Sequence, residues 1–88
     1  MISVERRNQN EFLVVVEEGG SQTEHIVTLD EEYYEKLAGK EISKEELIER
    51  SFEFLLAREP KELILRSFNL KVINRYFPEY EKTIRLTN

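Results

Sequence analysis

Three features of the chain predict an α+β fold, with an N-terminal antiparallel β-hairpin or three-stranded meander followed by three to four helices packed on one face. Apolar and β-branched runs occupy the first third while helical spacing dominates afterwards, and strands grouped ahead of helices favour an antiparallel sheet over an alternating parallel one. Gly19-Gly20 divides two strand-like runs and supplies the positive φ angles of a two-residue hairpin turn. Finally, residues 42–60, ISKEELIERSFEFLLAREP, join a helix start signal, a wide apolar arc and a stop signal. The whole is read as one domain, residues 1–88, with a β-meander over about 1–29 and a helical part over 30–86.

At the start, Ile2-Ser3-Val4-Glu5 alternates as an edge strand does, and Arg7-Asn8-Gln9-Asn10 reads as the following turn. Residues 12–16, FLVVV, form a β-branched run continuous enough for a middle strand, and residues 22–29 form the returning strand. With the two glycines as the entire loop, Val14 falls opposite His25, Leu13 opposite Ile26 and Phe12 opposite Val27. One face then collects Phe12, Val14, Val16, Val27 and Leu29 and should meet the central helix. The other holds Leu13, Val15 and Ile26 among Glu11, Glu17, Glu24 and Thr28.

Asp30 suits an N-cap, Glu31 and Glu32 a first turn and Gly39 the position after a helix end, so a short helix is expected over 30–38 with Tyr33, Tyr34, Leu37 and Ala38 inward. In the long helix, Ser43 and Glu46 have the spacing of a reciprocal capping box, and Pro60 should stop it near Arg58 or Glu59. Its apolar positions, Leu47, Ile48, Phe52, Phe54, Leu55 and Leu56 with Ser51, sweep roughly 200°, about twice the arc of a one-sided surface helix. One layer cannot cover that arc, so the helix is expected between two. Beyond Pro60, which fits the first position of a helix, Leu63, Ile64, Leu65 and Phe68 are too dense for an exposed element. Asn69 should cap another short helix carrying Leu70, Ile73 and Phe77, which Pro78 bends or ends before a charged tail from Glu79 to Asn88.

Composition narrows the chemistry. The absence of cysteine removes disulfides, thiolate zinc sites and cysteine nucleophiles, and fits a cytoplasmic location. No basic head precedes an apolar run at the N-terminus and no stretch is long enough to span a bilayer, so no membrane partner is expected. His25 is the single histidine, which argues against a histidine-based metal site or a catalytic triad and reads as a packed or rim residue on a strand face. Glutamates at helical spacing, such as Glu45 and Glu49, read as a solvated face. No phosphate-cradling loop is present, because the paired glycines join two strands. No catalytic residue, cofactor or metal is expected, and the chain is not read as an enzyme.

Charge is unevenly spread: residues 1–59 hold 15 acids and 7 bases, whereas residues 60–88 hold 3 acids and 6 bases. Mutual neutralisation within the fold or across a dimer is the simplest consequence. A protein partner or self-association is therefore the leading expectation, with Leu13, Val15 and Ile26 and the aromatics Tyr76 and Tyr80 as the interaction surface. For the aromatic cluster of Tyr76, Phe77 and Tyr80, core closure is the leading role and a partner-binding surface the alternative.

The segment IVTLDEEYYEKLAGKEISKEELIERSFEFLL resembles ribbon-helix-helix regulators and antitoxins in its succession of strand, short helix, glycine turn and capped long helix. That resemblance implies a dimer whose paired strands enter the major groove of DNA. In this chain the outward strand positions are Glu24, Ile26 and Thr28, none of them basic, and the strand has its own hairpin partner. A nucleic-acid surface would fall instead on Arg66, Lys71, Arg75, Lys82 and Arg85, against an overall charge of −5. Through HIVTLDEEYYEKL, SFEFLLAREPKELILRSFNL and VINRYFPEY the chain is also similar, over nearly its whole length, to a family of small uncharacterised prokaryotic proteins with no assigned activity. That likeness implies the fold boundaries and no catalytic residues.

Overall fold

A computed structural model describes residues 1–85. It forms a four-stranded sheet with helices on one face, in the order β1 (Ile2–Arg6), β2 (Glu11–Glu18), β3 (Ser21–Thr28), α1 (Glu31–Ala38), α2 (Lys44–Leu56), β4 (Ser67–Asn69), α3 (Ile73–Tyr76) and α4 (Tyr80–Ile84). Single 3-10 turns at Lys61–Leu63 and Leu70–Val72 flank β4. Strand order is β1-β2-β3-β4, the first three antiparallel and β4 parallel to β3.

The hairpin follows from local chemistry. Gly19 and Gly20 have φ of 64° and 81°, a pairing that a side chain resists, and this two-residue turn sets Val14 opposite His25 and Phe12 opposite Val27 as expected. Between β1 and β2, the Asn8 side-chain oxygen accepts from the backbone N–H groups of Asn10 and Glu11, which closes that turn. With the register fixed, period-two alternation sends Phe12, Val14, Val16, Thr23, His25 and Val27 inward, all buried.

Helix α2 lies between two layers. Towards the sheet, the Phe52 ring is 5.4 Å from His25 and 6.0 Å from Phe68. On its other side Phe54 meets Phe77 at 5.9 Å and Tyr80 at 5.2 Å, both edge to face. Ser51 is in the apolar arc because it serves the second layer. Its hydroxyl donates to the Leu47 carbonyl at 2.8 Å and, 2.7 Å away, accepts from the Tyr80 hydroxyl. The Ser43 oxygen caps the helix by accepting from Glu46 N–H, but the reciprocal half of the box is missing, since the Glu46 carboxylate pairs with Arg50. Asp30 holds the N-cap position of α1 without a side-chain bond, and Gly39 ends that helix with φ 56°.

Four expectations need correction. Helix α2 closes at Leu56, before the proline: Arg58 N–H tightens to an i→i−3 bond on the Leu55 carbonyl, and Glu59 N–H makes the last i→i−4 bond to the same oxygen. The dense run after Pro60 is mostly extended rather than helical, and it delivers a fourth strand that the alternation of residues did not announce. Leu63 and Leu65, expected inside, are 67% and 45% exposed. The tail from Glu79 folds as α4 and buries Tyr80 and Ile84, and Tyr33 donates to Glu81 at 2.8 Å to tie α1 to it. Residues 86–88 of that tail lie outside the described residues.

Lys44 joins three elements at the start of α2. Its ammonium is nearly enclosed, 2.8 Å from the Glu31 carboxylate, 3.3 Å from the Gln9 carbonyl and over the Tyr34 ring. Burial of the aliphatic stem is acceptable because the charged end has partners. The Lys44 hydrogen bond holds the Glu31 carboxyl below the usual carboxylate range.

Candidate binding surface

The chain leaves the 3-10 turn at Leu63 and runs extended from Ile64 to Arg66, which shapes an apolar groove on the surface. Ile64 enters the core, Leu65, its neighbour in the extended run, faces the other way, and Leu63 at the end of the 3-10 turn is exposed as well. Two backbone-directed bonds impose this course. The Arg66 carbonyl accepts from Ile26 N–H at 2.8 Å, and the Leu65 carbonyl lies 2.7 Å from His25 Nδ1. A groove of about 150 Å³ results, between the end of α2, this extended run, β4 and α3, lined by Leu55, Leu63, Leu65, Phe68, Val72 and Tyr76 among others. Leu63, Leu65 and Tyr76 are three of the four large apolar side chains exposed in the described residues, the fourth being Met1. Their convergence on one groove is an organised apolar surface, unlike scattered exposed leucines.

Charge around this region is equally organised. Lys36, Lys40, Lys44, Arg50, Arg58 and Lys61 each sit beside a glutamate. Arg66, Lys71, Arg75, Lys82 and Arg85 are all exposed, and none has an acidic partner among the described residues. Arg66 follows the groove residue Leu65, Lys71 precedes Val72 and Arg75 precedes Tyr76. The five bases singled out in the sequence are thus the uncommitted cations of the C-terminal third. Glu59 is the acid that lines the groove.

The other expected surface residues separate into two kinds. Leu13, Val15 and Ile26 are half-buried on the outer sheet face and do not join the core cluster. Around them the pairing places Glu5 opposite Leu13, Glu24 opposite Val15 and Ser67 opposite Ile26. Tyr80 is fully buried, with its hydroxyl on Ser51, and so takes the core-closure role. Burial pushes its phenol well above the ordinary range. Tyr76, 66% exposed, is the part of that aromatic cluster available to a partner. Leu63 and Leu65 were missed as surface residues.

His25 is the buried titratable group behind the groove. A carbonyl only accepts, so the proton lies on Nδ1 towards Leu65, and Nε2 accepts from the Thr23 hydroxyl at 2.8 Å. Burial holds its pKa below the ordinary 6.5; the Leu65 carbonyl opposes that shift and the Arg66 charge adds to it. A depressed folded-state pKa means the unfolded chain takes up the proton first. The contribution of neutral His25 is therefore present above pH 6.5, declines as pH falls below it and is gone once pH has passed below the folded-state pKa. Urea unfolding from about pH 8 to pH 5 should show this decline, and His25→Asn, which keeps an amide donor towards Leu65, should flatten it.

Among the described residues no three histidine, cysteine, aspartate or glutamate side chains converge on a metal-sized site, and no helix is long and apolar enough to cross a membrane. β3, the strand that the ribbon-helix-helix resemblance would make a DNA-reading ribbon, is paired on both sides, by β2 and β4. Set against family models, curated proteins and solved structures, the chain matches none of them.

Proposed function

We propose that this protein acts by binding rather than catalysis, as a small protein-contact module working in the cytoplasm, with the groove of Leu63, Leu65 and Tyr76 as its contact surface. The convergence of three exposed apolar side chains on one concavity carries the reading. At about 150 Å³ the groove is smaller than the roughly 300–1,000 Å³ of small-molecule sites, and suits the side chains of a docking segment. Symmetric pairing through the outer sheet face receives no support, because it would set Glu5, Glu11, Glu17 and Glu24 of one copy against the same acids of another.

Affinity capture from the source cell after nuclease treatment, with captured proteins identified by mass, tests this. A specific partner should be retained by the wild type and by Leu13→Ser, and lost with Leu65→Asp and Tyr76→Asp, all with unchanged thermal unfolding. Equal retention by the groove variants would contradict the reading. A second reading, a nucleic-acid binder, is favoured by the five exposed bases that have no acidic partner among the described residues. In the same experiment it predicts capture that nuclease abolishes.

A further inference from the structure

Groove, outer sheet face and the His25 cluster differ in how much they say about a ligand. Thr23 and the Leu65 carbonyl fully satisfy the histidine. On the outer sheet face the apolar residues Leu13, Val15 and Ile26 are half-buried and stand among glutamates. Beside the groove, apolar side chains and bases without an acidic partner occur together, while the lining itself carries one acid, Glu59. The chain has 18 acids against 13 bases and places one beside each cation from Lys36 to Lys61, yet Arg66, Lys71 and Arg75, each next in sequence to a lining residue, have no acidic partner among the described residues. Long cationic side chains flanking an apolar cleft repel a basic partner and attract an acidic one.

We infer that the occupant of the groove is an acidic segment of another protein, which inserts apolar side chains between Leu63, Leu65 and Tyr76 while its carboxylates meet Arg66, Lys71 and Arg75. This rests on the contact reading above and adds the chemistry of the partner. A second copy of this chain has acids and apolar residues together on its sheet face, but Leu13, Val15 and Ile26 are half-buried there and are not among its exposed large apolar side chains. Glu59 at the α2 end sets polarity: carboxylates of the segment belong on the β4 and α3 sides, away from it.

Fluorescence anisotropy on the full chain decides the matter, with four probes: a short peptide alternating leucine and glutamate, the same peptide with lysine for glutamate, a serine–glutamate peptide and duplex DNA. The leucine–glutamate peptide should bind best and weaken in high salt. Changing Arg66, Lys71 and Arg75 together to glutamate should weaken it about tenfold or more and transfer preference to the lysine peptide. No binding of the leucine–glutamate peptide, equal binding of the lysine peptide, or preference for DNA or for serine–glutamate would overturn the inference. Leu65→Asp separates the two levels. Equal peptide affinities that both vanish in Leu65→Asp refute the acidic partner and leave the groove standing, whereas binding untouched by Leu65→Asp refutes both. Sedimentation that showed the chain self-associating, with Leu65→Asp releasing monomer, would assign the groove to a second copy and overturn the inference.

Discussion

Phe52→Ala is expected to destabilise the protein by about 3–5 kcal/mol, a large part of the roughly 4–13 kcal/mol that a domain of this length has to lose. The ring is fully buried and stands between α2 and the sheet, touching His25 on β3 and Phe68 on β4. Its removal leaves a cavity whose walls cannot collapse together, because β3 is held by strands on both sides. Urea unfolding should show a lower midpoint with a similar slope. Since Phe68 is also a wall of the groove, the variant should bind any partner more weakly even where it remains folded. A loss under about 1 kcal/mol would mean that α2 does not bear on the sheet as described.

Tyr80→Ala should cost a similar amount, about 3–5 kcal/mol, by opening the second layer. The ring is fully buried against Phe54, and its hydroxyl is fixed on Ser51. Tyr80→Phe isolates the polar part and should cost about 1 kcal/mol, because Ser51 keeps its bond to the Leu47 carbonyl while losing the Tyr80 donor. Tyr76→Ala, four residues away but on the surface, should lie within about 0.5 kcal/mol of wild type. Equal losses at positions 76 and 80 would contradict the division of this aromatic cluster into a core half and a surface half.

The N-terminal half was largely legible because its determinants are local. A two-glycine turn fixes register, register fixes faces, and Ser43 and Gly39 mark helix ends through backbone bonds made within a few residues. The breadth of the α2 arc likewise foretold two layers, since periodicity reports how much of a helix is covered even when the covering element is unknown. After Pro60 the determinants are remote. Residues 64–66 are drawn out by bonds from His25 and Ile26, some 40 positions earlier, to the Leu65 and Arg66 carbonyls, and density of apolar residues cannot reveal such recruitment. Leucine density was therefore read as burial when it supplied a surface. Tyr80 shows the same limit from the opposite side, because its burial depends on Ser51 in another helix. Of the candidate site, the five basic residues were visible in composition, while their lack of partners and the groove beside three of them depend on the packed chain.

The central claim, that contact is made through the groove, is tested most directly by two-dimensional amide NMR of the labelled chain during titration with the captured partner or with the leucine–glutamate peptide. The account predicts shifts that concentrate at Leu63, Leu65, Phe68, Val72 and Tyr76 and spare Leu13, Val15 and Ile26. Shifts confined to those three residues and the glutamates around them would contradict it, moving the contact surface to the outer face of the sheet.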